Sequence, residues 1–538
     1  MEKFLIISSG DNVAVALADI KSGEILNYGE EVIKVSEDVS VKHKLALKSF
    51  KPGDTIFMYG VPVGEVLLPI QSGGLLSTAN IKHLSAFYNY TGKTYFYKPW
   101  NVSHLKKRIF DGFHREDGQV GTRNYWLFIP MVFCQNRNLQ VLKDTFETEL
   151  GFKKENPYKL QLRNLINSSN ETNIFEGTAY NNHKVFDNID GVKFLTHEGG
   201  CGGTREDARA LVNLLAGYIN NPNVAGATVL SLGCQHAQMS MLQEALQDRF
   251  QSKKPVLYFE QQQYNSERQM LTEIVNSTYK ELVEANKLMR QPTPLNKLSI
   301  GLECGGSDGF SGITANPVMG RVADKISALG GKGILSEFPE LCGVEQDLID
   351  RCETKEIVDK FINLMETYNS RAQVVGSGFD MNPSPGNIKD GLITDAMKSA
   401  GAATKGGRGP ISDVLDYTEY ASKPGLSLLC TPGNDVESTT GLVGSGANII
   451  LFSTGLGTPT GNPVCPVIKI SSNSMLPKKM NDIIDFDAGR MISEGASLEA
   501  LSEELIQLII KIASGRKQTC ADILGQNDFI PWKRGVSL

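Results

Sequence analysis

Four cysteines stand where apolar runs give way to polar or glycine-rich turns. Cys134 follows Tyr125–Phe133, Cys234 ends Val229-Leu230-Ser231-Leu232-Gly233, and Cys304 follows Leu298–Glu303; Cys201 sits inside His197-Glu198-Gly199-Gly200-Cys201-Gly202-Gly203. One cysteine after a strand is commonly a small buried hydrophobe. Four in the same setting raise the alternative of a thiolate site for iron or zinc. No Cys-x-x-Cys pair narrows that choice. Two of the seven histidines lie beside these cysteines: His197, four residues before Cys201, and His236, two after Cys234. Each is a candidate general base or metal ligand, or else a capping or surface histidine.

The stretch Gly301–Pro317, GLECGGSDGFSGITANP, adds five glycines, Ser307 and Asp308 to the Cys304 turn. Similar loops contain Arg115, Arg123 and Asn124, then Asn387, Asn434 and Thr458. Backbone N–H groups, hydroxyls and amides of this kind suit a polyhydroxylated carboxylic acid. Arg115 or Arg123 could hold its carboxylate in a two-pronged grip. Asp308 would serve the substrate hydroxyls or an ion. The plainer reading is that Gly-Asn-Pro loops simply turn corners. Neither a P-loop nor a Gly-x-Gly-x-x-Gly dinucleotide fingerprint is present, so nucleotides are not indicated.

Loops can act together only if a scaffold brings them to one place. The chain has 538 residues, too many for one core, so several domains are expected. Residues 1–90 read as short strands separated by turns, a small β domain, and 91–107 as a linker. From 108 to 290 strands alternate with helical stretches such as Arg205–Ile219 and Ser266–Met289, the pattern of α/β layers with parallel pairing. Gln291–Asn296, with two prolines, reads as a boundary, and the alternation resumes over 291–538. In such sheets ligands gather at the carboxyl ends of the strands.

The net charge of -6 and the absence of a long basic run argue against nucleic acid as partner. No segment reaches the roughly 18 apolar residues of a membrane span. Nine cysteines, an odd number without small-domain spacing, fit a reducing compartment, and a cytoplasmic protein binding a small molecule is expected, as a homo-oligomer, a dimer.

Taken in order, Arg115-Glu116-Asp117-Gly118, Gly121-Thr122-Arg123-Asn124, Gly200-Cys201, Asn221–Gly226, Leu232-Gly233-Cys234, Cys304–Gly312, Asn382–Asn387, Thr454–Pro459 and Asp485–Gly489 resemble the altronate dehydratase and galactarate dehydratase family of sugar-acid hydro-lyases. The resemblance covers nearly the whole chain. Residues Asp11–Ala16, His43-Lys44, Tyr59-Gly60 and Gly64 are similar to that family's SAF-type β domain, a β-clip. One departure stands out: where relatives commonly carry a His-x-His-x-His-Asn run, this chain has Leu75-Leu76-Ser77-Thr78-Ala79-Asn80.

The resemblance implies dehydration of altronate, a six-carbon aldonic acid, to 2-keto-3-deoxygluconate in hexuronate breakdown. Galactarate is the runner-up, and a non-catalytic sugar-acid sensor is the reading from another class. It also implies divalent iron, as a single ion or in an iron–sulfur cluster, at Cys134, Cys201, Cys234 and Cys304 with His197 nearby. His197, His236 and Asp308 are then the candidates for acid and base work.

Overall fold

Short β-branched and alanine-rich runs build the N-terminal unit, since alternate side chains of each strand can face one small core. The computed structural model describes residues 3–29, 31–85, 87–92, 95–154, 156–167 and 183–537. Phe4–Leu5, Val13–Ala16, Lys44–Ala46 and Leu75–Leu76 form one antiparallel sheet, and Thr55–Met58, Val61–Val66 and Ile81–Lys82 a second. Their core of Val13, Val15, Ile56, Met58 and Val63 also takes in Phe310, Ile313, Ile393 and Met397, so the unit docks on the C-terminal part of the chain. In the segment that follows, Trp100 donates to Asp324 Oδ2 (3.3 Å) and Tyr95 to the Arg408 carbonyl (2.8 Å), laying it over that same part.

Two parallel sheets follow. The first contains β1 (Tyr125–Pro130), β2 (Gly191–Phe194), β3 (Val224–Ser231) and β4 (Val256–Glu260) in the order β2-β1-β3-β4. All its pairings are parallel. The second contains β5 (Ser299–Cys304), β6 (Lys332–Leu335), β7 (Ile411–Leu415), β8 (Gly425–Leu429), β9 (Ile449–Thr454), β10 (Val467–Ser471) and β11 (Phe486–Asp487). Its order is β7-β8-β6-β5-β9-β10-β11, again wholly parallel. β1, β3 and β9 are buried along their whole length, which explains their continuous apolar runs.

The helices that matter for the site are α1 (Arg205–Asn220), α2 (Ala315–Ala328), α3 (Asp395–Ala403) and α4 (Asp435–Gly444). Side chains cap three of them: Thr204 accepts from Asp207 N, Thr394 from Met397 N, and Asn434 from Val436 N and Glu437 N. One apolar cluster joins Leu127, Ile129 and Val229 of the first sheet to Ile334, Leu429 and Ile450 of the second through Leu214 and Tyr218 of α1 and Leu442 and Val443 of α4. The two α/β units therefore share a core.

Gln291–Asn296 is not a plain boundary. Gln291–Pro294 is a strand pairing antiparallel with Ile109–Gly112. It lies at the edge of its sheet, where a missing N–H is tolerated, so two prolines do not forbid it. Among the described residues no helix is long and apolar enough to cross a membrane.

Candidate functional site

β2, β1 and β3 are neighbours, and the turns after them bring Cys201, Cys134 and Cys234 to the same carboxyl edge of the first sheet. All three thiols are free and exposed. The turns are laced together: Phe133 N donates to the Gly199 carbonyl (3.1 Å) and His236 N to that of Gly200 (2.9 Å). Gly200 has φ +98°, and a β-carbon there would stand 2.2 Å from the Met131 carbonyl oxygen, so only glycine lets the Cys201 turn nest on β1.

His197 is buried, its Nε2 donating to the Pro130 carbonyl (2.7 Å) while Nδ1 accepts from Gly199 N (3.1 Å). Burial pulls the imidazole down to about 4 against the opposing effect of the Pro130 bond. A neutral ring with both nitrogens committed positions the Cys201 turn rather than shuttling protons. His236 differs, being exposed on the wall of the cleft.

That cleft, about 810 Å³, is bounded by Cys201 and His236 on one side and by Glu437, Trp532 and Lys533 on another. Asn136 also lines it; its Nδ2 donates to the His197 carbonyl (2.8 Å), and its Oδ1 is buried without a partner. The segment that carries Lys533 is tied down at several points. Trp532 N donates to Tyr417 Oη (2.9 Å), Arg534 N to Asp207 Oδ1 (2.9 Å) and Arg534 Nη1 to Asp416 (3.2 Å). Sequence reasoning missed Lys533; the run Trp532-Lys533-Arg534, an aromatic beside two cations, was the available signal.

Cys304 does not join the exposed thiols. It ends β5 in the second sheet, 1% exposed, inside a buried ion cluster. Lys405 Nζ donates to Cys304 Sγ (2.8 Å) and to Glu337 Oε2 (2.6 Å), the thiol lies 3.0 Å from Glu340 Oε2, and Lys398 Nζ pairs with Glu340 Oε1 (2.6 Å). Burial, then Glu337 and Glu340, push the Cys304 thiol well above its ordinary range, so it stays protonated. Burial works against the Glu340 carboxylate, but Lys398 and Lys405 prevail and hold it down at about 2. Glu337, Glu340, Lys398 and Lys405 were not among the sequence candidates, although Ser336-Glu337-Phe338-Pro339-Glu340 follows β6 as Cys304 ends β5.

The first turn of α4 spans the two places. A β-carbon on Gly305 would lie 2.0 Å from Asp435 Oδ2, while Glu437 two residues on faces the cleft. Burial, then the nearby Glu337 and Glu340, raise Asp435 from 3.8 to about 7. With its folded value raised, the acid contributes its stability below about pH 4 and loses it as pH rises through about 7. Asp435→Asn should accordingly leave the unfolding midpoint near pH 4 unchanged and raise it above about pH 7. Denaturant titrations at both ends test this, and equal shifts at the two would refute it.

The other candidates hold the framework. Asp308 is buried; its Oδ1 accepts from Ser472 Oγ (2.7 Å) and Ser311 Oγ (3.0 Å), and its Oδ2 meets Lys42 Nζ (2.9 Å) of the N-terminal unit. Asn387 Nδ2 donates to the Ser307 carbonyl (2.8 Å), Asn434 caps α4, and Thr458 rests against Gly306.

Arg115, Arg123 and Asn124 precede β1 and so stand at the amino edge of the sheet, roughly 20 Å from the thiols by strand length. Arg115 donates to the Pro222 carbonyl (2.8 Å) and Asn124 Oδ1 (3.0 Å); Arg123 donates to the Ile512 carbonyl (2.8 Å) and Asp522 Oδ2 (3.1 Å). The two-pronged grip on a substrate carboxylate expected of them is replaced by grips on backbone and Asp522. Arg123→Lys should thus cost about 1 to 3 kcal/mol of stability and leave KM unchanged. A raised KM at unaltered stability would return Arg123 to substrate binding.

Among the described residues, two groups of three His, Cys, Asp or Glu side chains bring ligand atoms within 4.8 Å of one another: Cys304, Glu337 and Glu340, and His83, Cys342 and Asp395. Cys134, Cys201 and Cys234 are not all within that distance of one another.

Comparison with known proteins covers the same three parts. Residues 2–84 match the altronate/galactarate dehydratase SAF domain, 112–286 the second domain of D-galactarate dehydratase/altronate hydrolase, and 295–537 the C-terminal domain of D-galactarate/altronate dehydratase. The chain is 35% identical over 520 residues to an altronate dehydratase of Bacillus subtilis, covering 96% of each. It is 34% identical over 538 residues to an altronate dehydratase of Escherichia coli, covering all of both. To the galactarate dehydratase (L-threo-forming) of Escherichia coli it is 27% identical over 528 residues, covering 97% of this chain and 95% of the other.

Proposed function

The chain belongs to the altronate and galactarate dehydratase family, and from that premise we propose that it is a hydro-lyase removing water from D-altronate to give 2-keto-3-deoxy-D-gluconate. The observation that supports this reading is the convergence of three exposed thiols, from the turns after three adjacent parallel strands, at one carboxyl edge, where Cys201 lines the cleft. The substrate assignment follows the higher identity to the two altronate dehydratases than to the galactarate dehydratase.

Dehydration takes a proton from the carbon beside the carboxylate and a hydroxide from the next carbon. That carbon acid is far weaker than any side chain, and hydroxide is a poor leaving group, so both charges must be stabilised as they develop. Cys134, Cys201 and Cys234 are free, exposed and soft, and so fit iron, which would supply Lewis acidity toward the departing hydroxyl or the carboxylate. Thiolates on one tetrahedral ion with bonds of about 2.3 Å stand about 3.8 Å apart. Cys134, Cys201 and Cys234 are not all within 4.8 Å of one another, so an iron–sulfur cluster is proposed beside a single ion.

The chain's own groups do the rest. Lys533 presents an ammonium to the substrate carboxylate and His236 exchanges a proton at the cleft wall. Phe529, Ile530 and Trp532 narrow the cleft and exclude water. The purified protein, reconstituted with ferrous iron and sulfide without oxygen, should turn over altronate when assayed by trapping of 2-keto products. Turnover of galactarate alone would overturn the substrate, and no turnover of any hexonate or hexarate would favour the sensor.

A further inference from the structure

Beside the Cys304 cluster, but sharing no residue with it, three side chains from three separate segments meet. His83 directly follows Ile81–Lys82, the last strand of the N-terminal unit, Cys342 follows the turn Phe338–Leu341, and Asp395 opens α3. One ligand atom of each lies within 4.8 Å of the other two. Asp395 is 1% exposed, and neither of its carboxylate oxygens accepts a hydrogen bond of ordinary geometry. A buried carboxylate without donors is costly, and the group is retained only where something compensates it. The Cys342 thiol offers weak help, and the nearby Glu340 works against ionisation.

We propose that His83, Cys342 and Asp395 form a binding site for a divalent transition ion of the zinc class, which staples the exit of the N-terminal unit to the start of α3. An imidazole nitrogen, a thiolate sulfur and a carboxylate oxygen are the ligand types of a borderline-soft cation, with a fourth position for water. The charges balance: thiolate and carboxylate together offset the two positive charges of the ion, leaving a neutral group suited to burial. Both protons are released to solvent on binding. His83 Nδ1 accepts from Ala396 N at 3.3 Å, which places the ring against the first turn of α3. The place suits a staple, because the residue before Asp395 already links the same two units: Thr394 Oγ1 donates to the Val63 carbonyl (2.7 Å).

The site is independent of the altronate reading, and its test needs no turnover. Full-length protein stripped with a chelator is titrated with zinc, and with cobalt as a spectroscopic probe, while bound metal per chain and Tm are recorded. Cys342→Ala should bind one equivalent fewer than the parent and lose the thiolate-to-cobalt absorption that belongs to this site. Asp395→Asn should bind zinc there at least roughly tenfold more weakly, since even outer-shell changes cost about 10- to 100-fold. Zinc should raise the Tm of the parent more than that of either variant.

The amide variant keeps the proposal testable should Cys342→Ala fail to fold. Without any ion site Asp395→Asn merely exchanges a buried, donor-poor acid for its amide, so it leaves Tm unchanged or raises it and makes no difference to the zinc response. Equal metal content in parent and Cys342→Ala, or an unaltered zinc affinity and Tm response in Asp395→Asn, overturns the site.

Discussion

If the three thiols hold iron as proposed, Cys201→Ser should lose it and lower altronate turnover by at least roughly a hundredfold, at the upper end of what even outer-shell changes at metal sites cost, with little change in Tm. The thiol is exposed, so the swap buries no polar atom and opens no cavity. What changes is softness: a hydroxyl is a hard, weakly acidic donor where a thiolate is needed. Cys304→Ser is the matched comparison. That thiol is packed among Lys405, Glu337 and Glu340, so its serine variant should keep its iron and show its effect in stability. Iron per chain, Tm and turnover on the pair decide the matter. Full iron with near-normal turnover in Cys201→Ser would remove that cysteine from the centre, and iron loss confined to Cys304→Ser would move the centre to the second sheet.

Lys405→Met should destabilise the chain by about 3 to 5 kcal/mol, the usual cost of stranding one side of a buried ion pair. Methionine keeps most of the stem's volume and removes only the charge. Lys405 is 1% exposed, and its ammonium is shared between Cys304 Sγ and Glu337 Oε2. Burial opposes its charge, yet the neighbouring Glu337 and Glu340 carboxylates keep it protonated well above the ordinary lysine range. Adding Glu337→Gln should recover part of the loss, because the stranded carboxylate goes with it. Equilibrium denaturation of both variants measures this, and a loss below about 1 kcal/mol would show that the other groups rearrange to solvate the site.

The parallel alternation was legible because buried parallel strands leave continuous apolar runs, and β1, β3, β5 and β9 are such runs. The strand-end cysteines were legible for the same reason. Their grouping was not, since it depends on strand order: Cys134, Cys201 and Cys234 lie on neighbouring strands of one sheet, while Cys304 belongs to another. Arginines beside a glycine-rich turn suggested an acid grip, but the turn lies before β1, at the edge away from the thiols. Lys398, Lys405 and Lys533 come from positions far apart in the sequence from the groups they meet, so only the folded chain brings them together.

The apolar cluster common to both sheets has a consequence for how the molecule opens. Leu442 and Val443 of α4 lie in one contiguous interior with Leu127 and Val229 of the first sheet. A cut near residue 290 therefore does not separate two self-sufficient halves. Each half would expose a face of packed leucine, isoleucine and valine that water does not tolerate, and the fragments would associate or precipitate. Amide hydrogens of α1 and of β9 should exchange with deuterium through a single shared opening event, although they lie in separately recognised sequence segments. The pair of sheets should then open as one cooperative unit, and its thiol-bearing edge should be lost or kept along with the whole.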